Sequence, residues 1–308
     1  YPATFRIAGD AGVVWERKAR VAVLKPRKGE RGPLAIPVLK TTVRLQVPAG
    51  DYVFAARLEH GGAPAGDRKA FTISGEQAPV ARNTTVTGWG LDKRVVAWLG
   101  KQGVAVRPYG EGPARMPEAL LVGKPGRSTR GEWLDLARRV ARGGAAVFLE
   151  PDAFARGGET THWLPLARKG TVVKVYDWLY HKECVARRHP IFEGLQTGLL
   201  DCDYYGQAIG HALFTGQDDP EEMVCAAFYP CGNPAAGAMI ATYRLGAGRF
   251  ILNTMNLCGP PGRNPAADRL LINLIRHART AKRPRPATIP EKLQRRLLEK
   301  LYPESASC

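Results

Sequence analysis

The sequence predicts an α/β protein, in which a flavodoxin-like parallel sheet follows an N-terminal β-sandwich. Three observations carry this. Short β-branched runs separated by turn residues fill residues 1–76. From Thr84 the hydrophobic period changes, and apolar strands alternate with amphipathic helices as far as residue 278. Strands that are apolar throughout belong in a sheet covered on both faces.

In the first region the runs are TFRIA (4–8), VVWER (13–17), ARVAVL (19–24), TTVRLQV (41–47), YVFAARLE (52–59) and KAFTI (69–73). AGDAG (8–12), PAGD (48–51) and GGAPAGD (61–67) supply the turns. Strands this short at this spacing read as a sandwich. Tyr52, just inside its strand, stands where a tyrosine corner would tie back to the preceding turn. The polar SGEQAPVARN (74–83) marks the boundary.

Beyond it, TTVTGWG (84–90) predicts a strand and the next helix gathers Leu91, Val95, Trp98 and Leu99 on one face. VAVRPY (104–109) and ALLVG (119–123) are further strands. A second helix carries Trp133, Leu136, Ala137, Val140 and Ala141 on one stripe and stops at Gly143-Gly144. AAVFLEPD (145–152) then reads as a buried strand ending at a carboxylate. Strands follow in TVVKVYDW (171–178), MVCAAFY (223–229) and residues 235–257, the last a hairpin turning near Gly246 and Gly248. Asn264 can cap a closing helix with Pro265 in its first turn, burying Ala267, Leu270, Leu271, Leu274, Ile275 and Ala278. Residues 279–308 form a basic linker and an amphipathic helix with Leu293, Leu297 and Leu301 on one side. So short a helix must dock to be stable.

The net charge of +17 is the mark either of a polyanion partner or of a generally basic surface. The tail accounts for eight Lys/Arg against three Glu, and the rest is scattered without an aromatic-interleaved stripe. A basic surface is the better reading, so nucleic acid is not expected as a partner. No run approaches the ~20 apolar residues of a membrane span. No leader is visible, and the chain begins at Tyr1 rather than Met, as a processed chain or a fragment would. Six cysteines lie between 184 and 308 without a C-x-x-C pair, so one or two disulfides stay open.

Candidate chemistry gathers at a few places. Glu150 and Asp152 sit at a strand end, able to share a proton, bind a cation or sugar hydroxyls, or simply cap the next turn. DCDYYG (201–206) sets Asp201 and Asp203 beside Tyr204 and Tyr205, a pairing that suits a sugar face and its hydroxyls, or else tyrosines packed on the sheet. HKECVARRHP (181–190) offers His181, Cys184 and His189, but not the two tight ligand pairs of a structural zinc site. Gly88-Trp89-Gly90 lacks the third glycine of a phosphate loop, leaving Trp89 as a pocket wall. There is no G-x-S-x-G elbow.

HPIFEGL (189–195), GAGRFILNTMNL (246–257) and NPAADRLLINLIRHA (264–278) together resemble the closing part of a class I glutamine-amidotransferase-like domain. The version they resemble lies on the C-terminal side of bacterial glycoside hydrolases of the family 2, β-galactosidase type. PAGDYVFAARLEHGGAPAGDRKAF (48–71) resembles the immunoglobulin-like domain that precedes it there.

The resemblance implies an Ig-like sandwich over 1–76 and an amidotransferase-like domain over 84–278 that lacks the catalytic triad. Leu149-Glu150-Pro151 stands where the family has its cysteine elbow, and Phe250-Ile251-Leu252-Asn253-Thr254 carries no His-x-Glu. It implies a non-catalytic ancillary region with no cofactor and no metal. Trp89, Glu150, Asp152, Asp203 and Tyr205 would line a glycan site. Its partners would be the parent enzyme's carbohydrate substrate, an upstream catalytic barrel and a second copy of the chain, with no membrane. It would be periplasmic or secreted if the parent carries a signal peptide. The alternative is a stand-alone carbohydrate-active or carbohydrate-binding protein, with Glu150/Asp152 or Asp201/Asp203 at the working rim.

Overall fold

A computed structural model describes residues 1–22, 28, 29, 31, 32, 36–59, 66–75, 84–110, 118–175, 182–230, 234–259, 261–280, 296 and 298–302. The chain divides into two compact units, Tyr1–Gln77 and Ala78–Cys308.

Among the described residues, the first unit holds one antiparallel sheet of four strands, β1 (Pro2–Gly9), β2 (Gly12–Arg20), β3 (Gly50–Leu58) and β4 (Gly66–Ile73), in the order β2-β1-β3-β4. Alternation puts Ala3 and Phe5 on one face, where they pack with Val21, Phe54 and Leu58. The Tyr52 hydroxyl donates to the Pro48 carbonyl at 2.9 Å, the corner contact that the sequence suggested. Residues 41–47 are not a strand, although Val43, Leu45 and Val47 are half-buried as their alternation requires. Residues 23–27 and 61–65, which include parts of the expected third strand and a turn, lie outside the described residues.

The second unit runs β5 (Thr84–Trp89), α1 (Lys93–Lys101), β6 (Val104–Pro108), β7 (Ala119–Val122), α2 (Arg130–Ala141) and β8 (Ala145–Phe148). It continues with β9 (Lys169–Lys174), β10 (Glu183–Ala186), β11 (Gly198–Leu199), the single turn α3 (Cys202–Tyr205) and β12 (Ala212–Gln217). β13 (Glu222–Tyr229), β14 (Ala235–Leu245), β15 (Gly248–Asn253) and α4 (Pro265–Thr280) complete it. Each helix starts on a satisfied cap. Asp92 accepts from the Arg94 amide at 2.7 Å, and Thr129 with Glu132 forms a reciprocal capping box. Asn264 accepts from the Ala266 and Ala267 amides while its own amide donates to the Tyr205 carbonyl.

The flavodoxin-like reading fails here. The sheet runs β11-β10-β13-β14-β15-β8-β7-β5-β6 with β12 and β9 attached through β14, and only β15, β8, β7, β5 and β6 are mutually parallel. The remaining pairings are antiparallel. The physical reason lies in the connections. Parallel neighbours need a crossover of about a dozen residues or more. β12, β13, β14 and β15 instead follow one another through connectors too short to hold a helix. The βα alternation at residues 84–149 does not extend through the second half.

Alternation also explains the two cores. On β7, Ala119 and Leu121 face one cluster and Leu120 and Val122 the other, and on β8 Ala145 and Val147 oppose Ala146 and Phe148. α1 and α4 cover the first face, with Leu99, Leu270, Leu274 and Ile275 fully buried. α2 covers the second, where Trp133 packs among Phe148, Phe154 and Trp163. Leu298, Leu301 and Tyr302 of the tail dock on this second face, and the Tyr302 hydroxyl donates to the Trp163 carbonyl at 3.0 Å. Leu293 and Leu297 lie outside the described residues. Among the described residues no helix is long and apolar enough to cross a membrane.

Candidate functional site

The parallel strands deliver their carboxyl ends side by side, and a cleft of about 620 Å³ opens there. Its construction begins with Asn253, the last residue of β15, which is fully buried. The Asn253 amide donates to the Leu149 and Met255 carbonyls, each at 2.9 Å, and its oxygen accepts from the Met255 amide at 3.1 Å. One side chain thus joins the exits of β8 and β15 and aims residues 254–259 along the cleft. Gly210 lets the opposite wall close in, since a Cβ there would lie 1.8 Å from the Thr254 carbonyl oxygen.

Leu149, Ile209, Met255 and Leu257 make the apolar floor, while Glu150, Gln207, His211 and Asn256 add polar groups. Thr254 also lines the cleft, and its hydroxyl is buried without a hydrogen-bond partner. Cys258 completes the wall. Burial first, then the hydrogen-bonded Glu150 carboxylate, pushes its thiol from 9.0 up to about 12. The thiol therefore stays protonated at neutral pH, and the thiolate is the nucleophilic form.

Glu150 and Asp152 are brought together by a residue the sequence reading did not single out. Lys124, just past β7, lies 3.2 Å from the Glu150 carboxylate and 3.1 Å from that of Asp152. The hydrogen bond to Asp152 above all, followed by that to Glu150, holds the Lys124 pKa above its ordinary value despite partial burial. Gly90 places this lysine. It adopts φ +65°, and a Cβ there would fall 2.3 Å from the Pro125 nitrogen. The glycine once weighed as part of a phosphate loop is needed for this close approach.

Of the five expected residues Glu150 alone lines the cleft; Asp152, tied to Lys124, does not, nor do Trp89, Asp203 and Tyr205. Trp89 is buried on the α2 side, stacked on Tyr109 with ring centroids 4.9 Å apart. Asp203 is exposed on α3, and its amide donates to Asp201 at 2.7 Å. Tyr205 is fully buried, and its hydroxyl donates to the Gln196 carbonyl.

A second polar cluster lies on other elements. His189, Glu222 and His277 each offer a ligand atom within 4.8 Å of the others. Spacing could not reveal it, because the three residues are far apart in the chain. Cys184, once considered with His189, is instead buried in β10 beside the core, and His181 lies outside the described residues. Cys184, Cys202, Cys225 and Cys258 are free thiols.

A third cluster is structural. Glu118 is buried, accepts from the Thr87 hydroxyl at 2.6 Å, and faces the guanidinium groups of Arg139 at 3.5 Å and Arg107 at 3.7 Å. Arg139 also pairs with Asp135 at 2.8 Å and covers the Tyr109 ring.

No protein-family model matches the chain, and no curated protein does. Among solved structures, it is similar to a β-galactosidase from Bacillus circulans sp. alkalophilus, at 13% identity and a TM-score of 0.38. That match covers 56% of this chain and 24% of the galactosidase. It is also similar to an exo-β-1,4-mannosidase from Opitutaceae bacterium strain TAV5, at 12% identity and a TM-score of 0.34. There the match covers 66% of this chain and 37% of the mannosidase. The chain thus spans well under half of either glycoside hydrolase, and both likenesses are weak.

Proposed function

We propose that this chain is a non-catalytic accessory region of a bacterial glycoside hydrolase, and that the cleft beyond β8 and β15 accepts a carbohydrate. The observation that carries the reading is the lining of that cleft. Glu150, Asn256, Gln207 and His211 line it together with Ile209, Met255 and Leu257. Donors and acceptors around an apolar base suit a ligand with many hydroxyls and an apolar ring face. The motifs at 189–195, 246–257 and 264–278 that resemble the C-terminal part of such hydrolases support it too.

Two features speak against chemistry at this rim. A glycosidase must keep one carboxyl protonated while its partner is not. Here the Lys124 ammonium lies between Glu150 and Asp152 at 3.2 and 3.1 Å, so both carboxylates are already engaged in ion pairs. The nearby Cys258 thiol is held in its unreactive form.

Calorimetric titration of the chain with a panel of mono- and oligosaccharides tests the reading. At least one sugar should bind, with affinity reduced about tenfold or more by Glu150→Gln or Asn256→Ala. Sugar binding that ignores both substitutions would rule out this cleft. Hydrolysis of an aryl glycoside, abolished by Glu150→Gln, would replace the reading with that of a stand-alone enzyme.

A further inference from the structure

We propose that His189, Glu222 and His277 form a binding site for a divalent transition-metal ion of the Zn²⁺ type. The three come from separate elements: the residue before the turn Pro190–Phe192, the first residue of β13, and the closing part of α4. Folding brings one ligand atom of each within 4.8 Å of the others. His189 Nε2 and Glu222 Oε2 are 3.3 Å apart. Two ligands bonded at ~2.0–2.1 Å to a tetrahedral ion would stand about that far apart.

His277 supplies the independent observation. It is 8% exposed, and its Nε2 is buried with no hydrogen-bond partner. A buried polar atom left unpaired is costly, and native structures rarely keep one without a use. Two imidazoles and one carboxylate are a donor set of open zinc sites. The Glu222 side chain is 39% exposed, so water can reach a fourth position. The Thr242 hydroxyl donates to Glu222 Oε2 at 3.3 Å, steadying the carboxylate from behind.

Other groups bear on the site. Arg249 lies near His277 and Arg187 near His189, and their charge makes the site weaker than one with two carboxylates. The His189 tautomer must also change. Nδ1 now accepts from the Ile191 amide at 3.2 Å, so Nε2 carries the proton toward Glu222. Ligation through Nε2 moves that proton to Nδ1, and the Ile191 amide loses its acceptor. An occupied site would tie the end of α4 to β13 and to the Pro190 turn.

The test is a titration of the chelator-treated full chain with Zn²⁺ against a chromophoric competitor, alongside Co²⁺ absorption spectra. One ion should bind per chain, Mg²⁺ should not compete, and the Ile191 amide resonance should shift on binding. Co²⁺ should give tetrahedral d–d bands without thiolate charge transfer. His277→Ala and Glu222→Gln should each weaken Zn²⁺ at least tenfold. Glu222 is partly exposed, so Glu222→Gln alone decides the matter if His277→Ala does not fold. Less than one ion per chain, unchanged affinity in Glu222→Gln, or a thiolate band placing the ion on a cysteine would each overturn the proposal.

Discussion

The large sheet has two halves that meet at β15, which pairs in parallel with β8 and antiparallel with β14. In the parallel half every strand exits at the same edge, so sequence neighbours of strand ends gather without further instruction. Lys124, Glu150 and Thr254, each just past a strand, come to one rim in this way. In the antiparallel half, direction reverses at each hairpin, and its histidine–glutamate cluster forms where a strand meets a turn and a helix from other parts of the chain. His189, Glu222 and His277 meet like this. The difference teaches that strand order alone gathers the polar rim in the first half, whereas the three-residue cluster of the second half also needs a helix packed from elsewhere in the chain.

Substitutions can sharpen that comparison. The largest effect is expected inside the parallel half. Glu118→Ala strips the carboxylate from Arg139 and Arg107 and should cost about 3–5 kcal/mol in urea unfolding. A loss below about 1 kcal/mol would mean that this buried cluster does not hold the half together. Asn253→Ala removes three hydrogen bonds at the junction of the halves and should cost about 2–4 kcal/mol. If its unfolding midpoint matches the parent, the backbone ladder and packing hold β8 and β15 together without the asparagine.

Gly90→Ala should cost about 1–3 kcal/mol for its left-handed backbone, besides pushing away the Lys124–Pro125 segment. Amide exchange at residues 123–126 would report the displacement. Lys124→Met is the contrasting case. Its ion pairs are exposed, with 57% of the lysine side chain open to solvent, so stability should change by less than about 1 kcal/mol. Sugar affinity at the cleft should fall even so, separating a binding residue from a folding one.

The smallest effect at neutral pH is that of Cys258, which is felt only in alkaline solution. Because folding raises the Cys258 thiol from 9.0 to about 12, its contribution to stability is complete below pH 9 and is lost as pH rises toward 12. Iodoacetamide should therefore label Cys258 slowly at neutral pH and faster as the solution becomes alkaline. Rapid labelling at pH 7 in the folded chain would contradict the buried environment described for it.

Much of the fold was legible. The αβ alternation from Thr84 to Phe148, the stripe on α2 and the Asn264-Pro265 start of α4 follow from periodicity and capping, which are local properties. β10 and β12 escaped notice, because Glu183–Ala186 stands between the charged Lys182 and Arg187 and Ala212–Gln217 contains Gly216, so neither stands out as an apolar run. Of the candidate residues, Glu150 could be placed because a strand end announces itself. Trp89 and Tyr205 could not, because an aromatic beside a strand or a carboxylate looks the same in a pocket wall as in a core. Lys124 carried no signal at all. Its importance depends on two carboxylates delivered by a different strand.

By itself, then, the sequence determined the strands and helices from Thr84 to Phe148, the start of α4 and the faces these bury, because hydrophobic period and caps act over a few residues. Only the tertiary structure decided that the sheet is mixed, that Lys124 bridges the rim carboxylates, and that two histidines and a glutamate converge. Those outcomes depend on which distant segments become neighbours, and contact across a sheet or beneath a helix leaves no mark on the spacing along the chain.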